Sequence, residues 1–279
     1  MQNKLNPNLI ALDLDDTLLN DNRQIDDETV LALRECANRG IYIVLCSGRA
    51  EDAILPFVRR LEIAGKETGR YLIAINGCSI FDLHERKQIY CRKVDSDILL
   101  RTNEIAESWG LRTEVYTSDT IFYREETKWT KLDVDLCGLK GQVVEDYDSF
   151  LKTPFTKMLV PGEPELLQKL QTELRKEFGD RAVIFVSKPY FLEILPPACG
   201  KGEAVDWLAY HIAEKSGKQI LTMGFGDSMN DESLIRRATW GVAMCNGLKE
   251  IQNIADYVTP KDNNHNGIAE FLKTMILDY

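Results

Sequence analysis

Leu9-Ile10-Ala11-Leu12-Asp13-Leu14-Asp15-Asp16-Thr17 is the stretch that decides how the chain is read. Leu9–Leu12 is a short apolar run, the pattern of a buried strand. Asp13 and Asp15 follow it at once. Two apart in extended chain, they lean to the same side. Two carboxylates so close repel unless a cation or a proton separates them. A hard divalent cation such as Mg²⁺, which takes oxygen ligands, meets that need. Asp and Thr are also good turn residues, so a polar loop or helix cap reads equally well from this stretch alone.

Working outward, Asp26 offers a helix N-cap, and Val30, Leu33 and Ala37 recur at helical spacing up to Gly40. Residues 41–45 form a β-branched apolar run. Residues 50 to about 63 read as a second helix, with Pro56 as an objection. Residues 71–75 are a third apolar run. Strand–helix–strand–helix–strand with short links predicts a parallel sheet with right-handed crossovers. After Asn76-Gly77 the texture changes. Residues about 83–92 suit a hairpin, and helices are expected near 96–109 and 163–178. Short alternating strands are expected at 111–116, 120–123, 156–160 and 182–186. Trp109, Trp129 and the tyrosines read as core of this module. From about Phe191 the first texture returns: helices near 201–215, 230–237 and 267–277, and strands near 219–224, 241–244 and 256–258. The prediction is a doubly wound, Rossmann-like parallel-sheet α/β core over 1–82 and 191–279. An α+β module, 83–190, is inserted into it.

The chain has 279 residues, and at roughly 150 residues per domain that agrees with two domains. With 44% hydrophobic and 28% charged residues, it is not a disordered chain, a collagen or a coiled-coil rod. A net charge of −10 lacks the basic footprint of a nucleic-acid binder and gives no pull toward an anionic membrane. No stretch approaches the ~18 apolar residues of a membrane span. The first residues carry no apolar signal core, so no secretory signal is expected. The seven cysteines are scattered and never form C-x-x-C, which argues against a disulfide framework and a zinc site. A cytoplasmic location with reduced thiols is the expectation.

Four further constellations follow strand candidates or open a helix. Gly226-Asp227-Ser228-Met229-Asn230-Asp231 again places carboxylates after a buried strand, and Asp227 with Asn230 or Asp231 could complete an oxygen-ligand cage. A helix cap by Ser228 or Asn230 would explain one of these residues, not the set. Cys46-Ser47-Gly48-Arg49-Ala50 offers a hydroxyl and backbone N–H groups at a helix start, a ready anion site, and Ser47 reads equally as the cap itself. Gly200-Lys201-Gly202 places a point charge at another helix start, although most lysines lie on solvated faces. Asn76-Gly77 is by itself an ordinary turn signal. If the sheet is parallel, all five converge on one rim. Their inventory suits metal-assisted phosphoryl transfer, where electrostatic positioning dominates. No G-x-x-x-x-G-K-[ST] occurs, no G-x-G-x-x-G follows the first strand, and Ser47 lacks the G-x-S-x-G elbow. His84, His211 and His265 show no pairing pattern.

Asp13-x-Asp15-x-Thr17, Ser47-Gly48-Arg49, Lys201-Gly202 and Gly226-Asp227-x-x-Asn230-Asp231 resemble the four motifs of the haloacid dehalogenase superfamily. Their order and spacing are similar to those of its Cof-type subclass IIB phosphatases. The resemblance implies that Asp13 is a nucleophile forming an aspartyl-phosphate and that Asp15 is the general acid and base. It implies Mg²⁺ held by Asp13, the Asp15 backbone carbonyl and Asp227, with Asn230 or Asp231 nearby. Ser47 and Lys201 would hold phosphoryl oxygens, with Lys201 also screening Asp13. Gly48, Asn76 and Asn230 would complete the substrate site, and Thr17 and Asp231 would support it. Ser47 stands where many relatives have Thr, and the hydroxyl is kept. Only eight residues separate Thr17 from Asp26, too few for a domain, so the insertion between Asn76 and Lys201 takes the place of a type C2 cap. The implied activity is Mg²⁺-dependent hydrolysis of small phosphorylated metabolites, sugar phosphates first, with FMN and pyridoxal phosphate open. The alternatives are a phosphomannomutase-like phosphotransferase and a non-catalytic phosphometabolite-binding regulator. The expected partner is the small metabolite alone, with no nucleic acid or membrane, and the chain a monomer or weak homodimer.

Overall fold

The computed structural model describes residues 4–277. The chain begins β1 (Leu9–Leu12), α1 (Asp27–Asn38), β2 (Tyr42–Cys46), α2 (Glu51–Leu61), β3 (Tyr71–Ala74), β4 (Ser79–Asp82) and β5 (Lys87–Cys91). It continues α3 (Ser96–Ser108), β6 (Glu114–Tyr116), β7 (Thr120–Tyr123), α4 (Lys128–Cys137), β8 (Lys140–Val143), α5 (Tyr147–Phe150), β9 (Met158–Pro161), α6 (Pro164–Phe178), β10 (Val183–Lys188) and β11 (Phe191–Leu195). It ends α7 (Lys201–Ser216), β12 (Thr222–Gly226), α8 (Glu232–Arg237), β13 (Trp240–Ala243), α9 (Lys249–Ile254), β14 (Tyr257–Val258) and α10 (Gly267–Met275). These elements divide into two compact units. The larger is Met1–Gly48, Ile54–Ile89 and Gly200–Tyr279; the smaller is Arg49–Ala53 and Tyr90–Cys199.

The larger unit is built on the sheet ordered β14-β13-β12-β1-β2-β3-β4-β5. Strands β12, β1, β2 and β3 are mutually parallel, with Leu9 opposite both Tyr42 and Thr222. Every residue of β1 and β12 is buried, as expected of parallel strands covered on both faces. From β1 the chain winds outward through β2 and β3, and later through β12, β13 and β14 on the other side. The carboxyl end of β1 therefore lies at the topological switch point, where open α/β sheets bind ligands. The parallel core ends on one side at β4, which returns antiparallel to β3, as a four-residue connection requires.

The smaller unit carries the sheet ordered β10-β11-β9-β6-β7-β8. One face packs on α3 and α6 through Val115, Met158, Leu192, Leu167 and Leu170. The expected boundaries at 82 and 191 are displaced. Ser79–Asp82 leads into β5 on the larger sheet. Phe191–Leu195 pairs antiparallel with β9 and β10, so it belongs to the smaller sheet and not to the core. This strand is buried throughout, with Leu192 and Ile194 in one apolar cluster and Phe191 in another. It therefore reads in the sequence like a strand of the larger sheet. Trp129, expected as core, is half-buried and stacks on Tyr190 at 5.8 Å between ring centroids.

Candidate active site

Asp13 ends β1. Its N–H donates to the Phe225 carbonyl of β12 at 3.1 Å, which fixes the residue at the sheet rim. Leu14–Leu18 then turns sharply, with Asp16 at φ 61 and the Leu19 N–H donating to the Leu14 carbonyl at 2.8 Å. The turn delivers the Thr17 hydroxyl to Asp227 Oδ1 at 2.7 Å. β12 ends at Gly226, where a Cβ would lie 2.4 Å from that of Asp231, so only glycine lets the following turn close. In that turn Asp231 Oδ2 accepts from the N–H of Asp227 (3.0 Å) and of Ser228 (3.1 Å). Lys201 opens α7 and is wholly buried, with Nζ 2.5 Å from both Asp13 Oδ1 and Asp231 Oδ1.

One oxygen from each of Asp13, Asp227 and Asp231 lies within 4.8 Å of the others. Three buried carboxylates share one ammonium, an excess of negative charge that low dielectric makes costly. Burial, then the Asp231 carboxylate, push the Asp13 carboxyl well above the ordinary range, against the pull of Lys201. The same two causes raise Asp227 to about 7, with the Thr17 hydroxyl opposing. Burial works against the Lys201 charge, but Asp13 and Asp231 outweigh it and hold the ammonium above the usual lysine range. A site that retains protons because its carboxylates crowd is one that a divalent cation would relieve, so this donor set fits a hard metal ion.

The other residues expected at the site fall on the same rim. Ser47 is buried at the end of β2, and its N–H donates to the Ile73 carbonyl at 3.0 Å. Asn76 follows β3; its N–H donates to the Ser47 carbonyl at 2.9 Å and its side chain abuts Gly48. Asn230 Nδ2 donates to Asn76 Oδ1 at 3.2 Å, and Asn230 Oδ1 accepts from Ser228 Oγ at 2.6 Å. Asp15 is half-buried, and its charge adds to the upward push on Asp13. One contributor went unread in the sequence. Asn246, just beyond β13, donates from Nδ2 to the Asp16 carbonyl at 2.7 Å, pinning the loop that carries Asp15 and Thr17. Its signal was Asn246-Gly247 after a strand, the same turn pattern as Asn76-Gly77.

Residues 10–272 match the family model of the haloacid dehalogenase-like hydrolases. The chain belongs to this family, in its Cof-type branch. It is 29% identical over 276 residues to the 5-amino-6-(5-phospho-D-ribitylamino)uracil phosphatase of Bacillus subtilis, covering 96% of each chain. It is 29% identical over 258 residues to the HMP-PP phosphatase of Serratia proteamaculans, covering 88% of this chain and 86% of that one. Among solved structures, a haloacid dehalogenase-like hydrolase from Bacteroides thetaiotaomicron superposes with a TM-score of 0.85 at 26% identity, over 97% of this chain and all of that one. This family member is thus an enzyme of the phosphatase type. Among the described residues no helix is long and apolar enough to cross a membrane.

Proposed function

We propose that this Cof-type enzyme is a Mg²⁺-dependent phosphatase of small phosphorylated metabolites, working through an aspartyl-phosphate on Asp13. The observation that carries the reading is Lys201 locked between Asp13 and Asp231, beside three carboxylate oxygens within 4.8 Å. An Asp13 oxygen attacks phosphorus, and the bond from phosphorus to the ester oxygen breaks. Asp15 gives its proton to the departing oxygen, then takes one from the water that attacks the phosphorylated Asp13. That second attack breaks the bond between phosphorus and the Asp13 oxygen, freeing inorganic phosphate and the carboxylate. Ser47 and the Gly48 N–H hold phosphoryl oxygens, and Lys201 aims Asp13 and, together with the cation, favours its ionised form. Mg²⁺, held by Asp13, Asp227 and the Asp15 carbonyl with Asn230 nearby, would offset the charge of the phosphoryl group. Asp231 has one oxygen on Lys201 and the other on two N–H groups, which favours a positioning role for it. The smaller unit takes the place of the cap that selects the substrate. Sugar phosphates head the substrates to screen, followed by phosphorylated ribitylamino- and aminopyrimidine compounds, the classes in the relatives' names.

The test is hydrolysis of an aryl phosphate by the wild type with Mg²⁺, by the wild type with EDTA, and by Asp13→Asn. Activity lost both on chelation and in the variant is expected. Equal rates in all three would overturn the reading.

A further inference from the structure

Three consecutive residues beside the site have left-handed backbone. Ile75, Asn76 and Gly77 have consecutive φ of 51°, 50° and 92°. A β-branched residue in the left-handed region is an outlier, and such strain persists only where its surroundings enforce it. Here they do. A Cβ on Gly77 would lie 2.1 Å from the Gly200 carbonyl oxygen, so the turn is pressed against the residue before Lys201. The Asn76 N–H is held by the Ser47 carbonyl. A Cβ on Gly48 would lie 3.0 Å from both Asn76 Nδ2 and Oδ1. Asn76 Oδ1 accepts from Asn230 Nδ2 at 3.2 Å, and Asn230 Oδ1 accepts from Ser228 Oγ. One strained turn therefore touches the segments that carry Ser47, Lys201 and Asn230.

We infer that Asn76 is a positioning residue: its carboxamide, held out by the left-handed turn and only 2% exposed, fixes the Asn230 carboxamide in one orientation. Oδ1 of Asn76 takes one Nδ2 hydrogen of Asn230, and Ser228 takes one lone pair of its Oδ1. The second hydrogen and the second lone pair are thereby aimed in defined directions. The inference rests on the phosphatase reading, because it gives Asn230 a role toward bound phosphate or metal. The effect inferred for the Asn76 carboxamide runs through its hydrogen bond to Asn230, so that effect must vanish when Asn230 is gone.

The experiment is a double-mutant cycle of Asn76→Gly and Asn230→Ala. Glycine accepts the left-handed conformation and removes the carboxamide without adding strain. The readouts are kcat/KM for an aryl phosphate and the affinity for orthovanadate with Mg²⁺, measured by the shift it gives in thermal midpoint. Asn76→Gly is expected to lower both about tenfold in the wild type, a loss typical of one coupled hydrogen bond. In the Asn230→Ala background it is expected to change them less than about twofold. The same factor in both backgrounds, or no loss in either, would overturn the inference. A residue that only stabilises the fold would move the midpoint without ligand and leave the cycle additive. The Asp13→Asn control separates the two ideas: activity that survives Asp13→Asn sinks the phosphatase reading, whereas an additive cycle with Asp13-dependent activity sinks only the role of Asn76.

Discussion

Each unit contains a group of three buried carboxylates and one buried lysine. In the larger unit they are Asp13, Asp227, Asp231 and Lys201; in the smaller, Glu114, Asp133, Glu193 and Lys157. The arrangements differ. In the larger unit the lysine bridges two acids at 2.5 Å each, and three oxygens converge within 4.8 Å. In the smaller unit Lys157 is 3.6 Å from Glu193 and lies over the Tyr116 ring at 4.3 Å. Asp133 is served there by the Tyr116 hydroxyl and the Cys137 thiol. Burial, then the Asp133 charge, raise the Glu114 carboxyl well above the ordinary range. No other group of three acid, histidine or cysteine side chains among the described residues converges as Asp13, Asp227 and Asp231 do. The acids of the larger unit stand in turns at strand ends, where backbone N–H groups and Lys201 force them together. Those of the smaller unit come one each from β6, α4 and β11, and there burial and the Asp133 charge favour the protonated form of Glu114. The same composition is thus poised for a cation in one place and for a proton in the other.

Asp13→Asn breaks the comparison most severely. Hydrolysis should fall on the order of 10⁴-fold or more, because a member of a catalytic unit is lost; steady-state assays check it. Lys201→Met comes next. Asp13 and Asp231 would be left buried without their partner, at a cost of about 3–5 kcal/mol to the metal-free protein, read by denaturant unfolding. Mg²⁺ sharpens the contrast. At about 100 times its Kd it should add about 2.7 kcal/mol, in the wild type and in Glu114→Gln but not in Asp227→Asn. The smallest effect belongs to Glu114. Its folded carboxyl holds a proton that the unfolded chain releases near the ordinary value of 4.5. The stability tied to that proton is fully present below 4.5 and is lost as pH rises toward the raised folded value. Glu114→Gln should therefore stabilise the protein by about 1 kcal/mol at pH 8 and by almost nothing at pH 4. An equal effect at both would show that Glu114 does not retain its proton.

The larger unit's site was legible because each of its parts is local. An apolar run followed by Asp13-Leu14-Asp15-Asp16-Thr17 or by Gly226-Asp227 states both the strand and what stands at its end. The parallel order then brings the ends together. The hydrogen bond from Thr17 to Asp227 spans 210 positions, and nothing local announces it. Nor does anything near Asn246 point to Asp16. The smaller unit's acid group was not legible at all, since Glu114, Asp133, Lys157 and Glu193 each look like a lone charge until β6, β9 and β11 pair. Helix α4 was missed because its capping box is Thr127 with Thr130, not the familiar Thr with Glu. Strand β8 was missed because all four of its residues are exposed, so it carries no alternation.

The most direct test of the central claim is chemical trapping on Asp13. Enzyme turning over an aryl phosphate with Mg²⁺ is quenched in acid, reduced with borohydride and mapped by mass spectrometry. An acyl phosphate is reduced to the alcohol, so the account predicts homoserine at position 13, and none when Mg²⁺ is chelated. Steady turnover with no reduced residue at position 13, in an enzyme whose Asp13→Asn variant stays active, would contradict it.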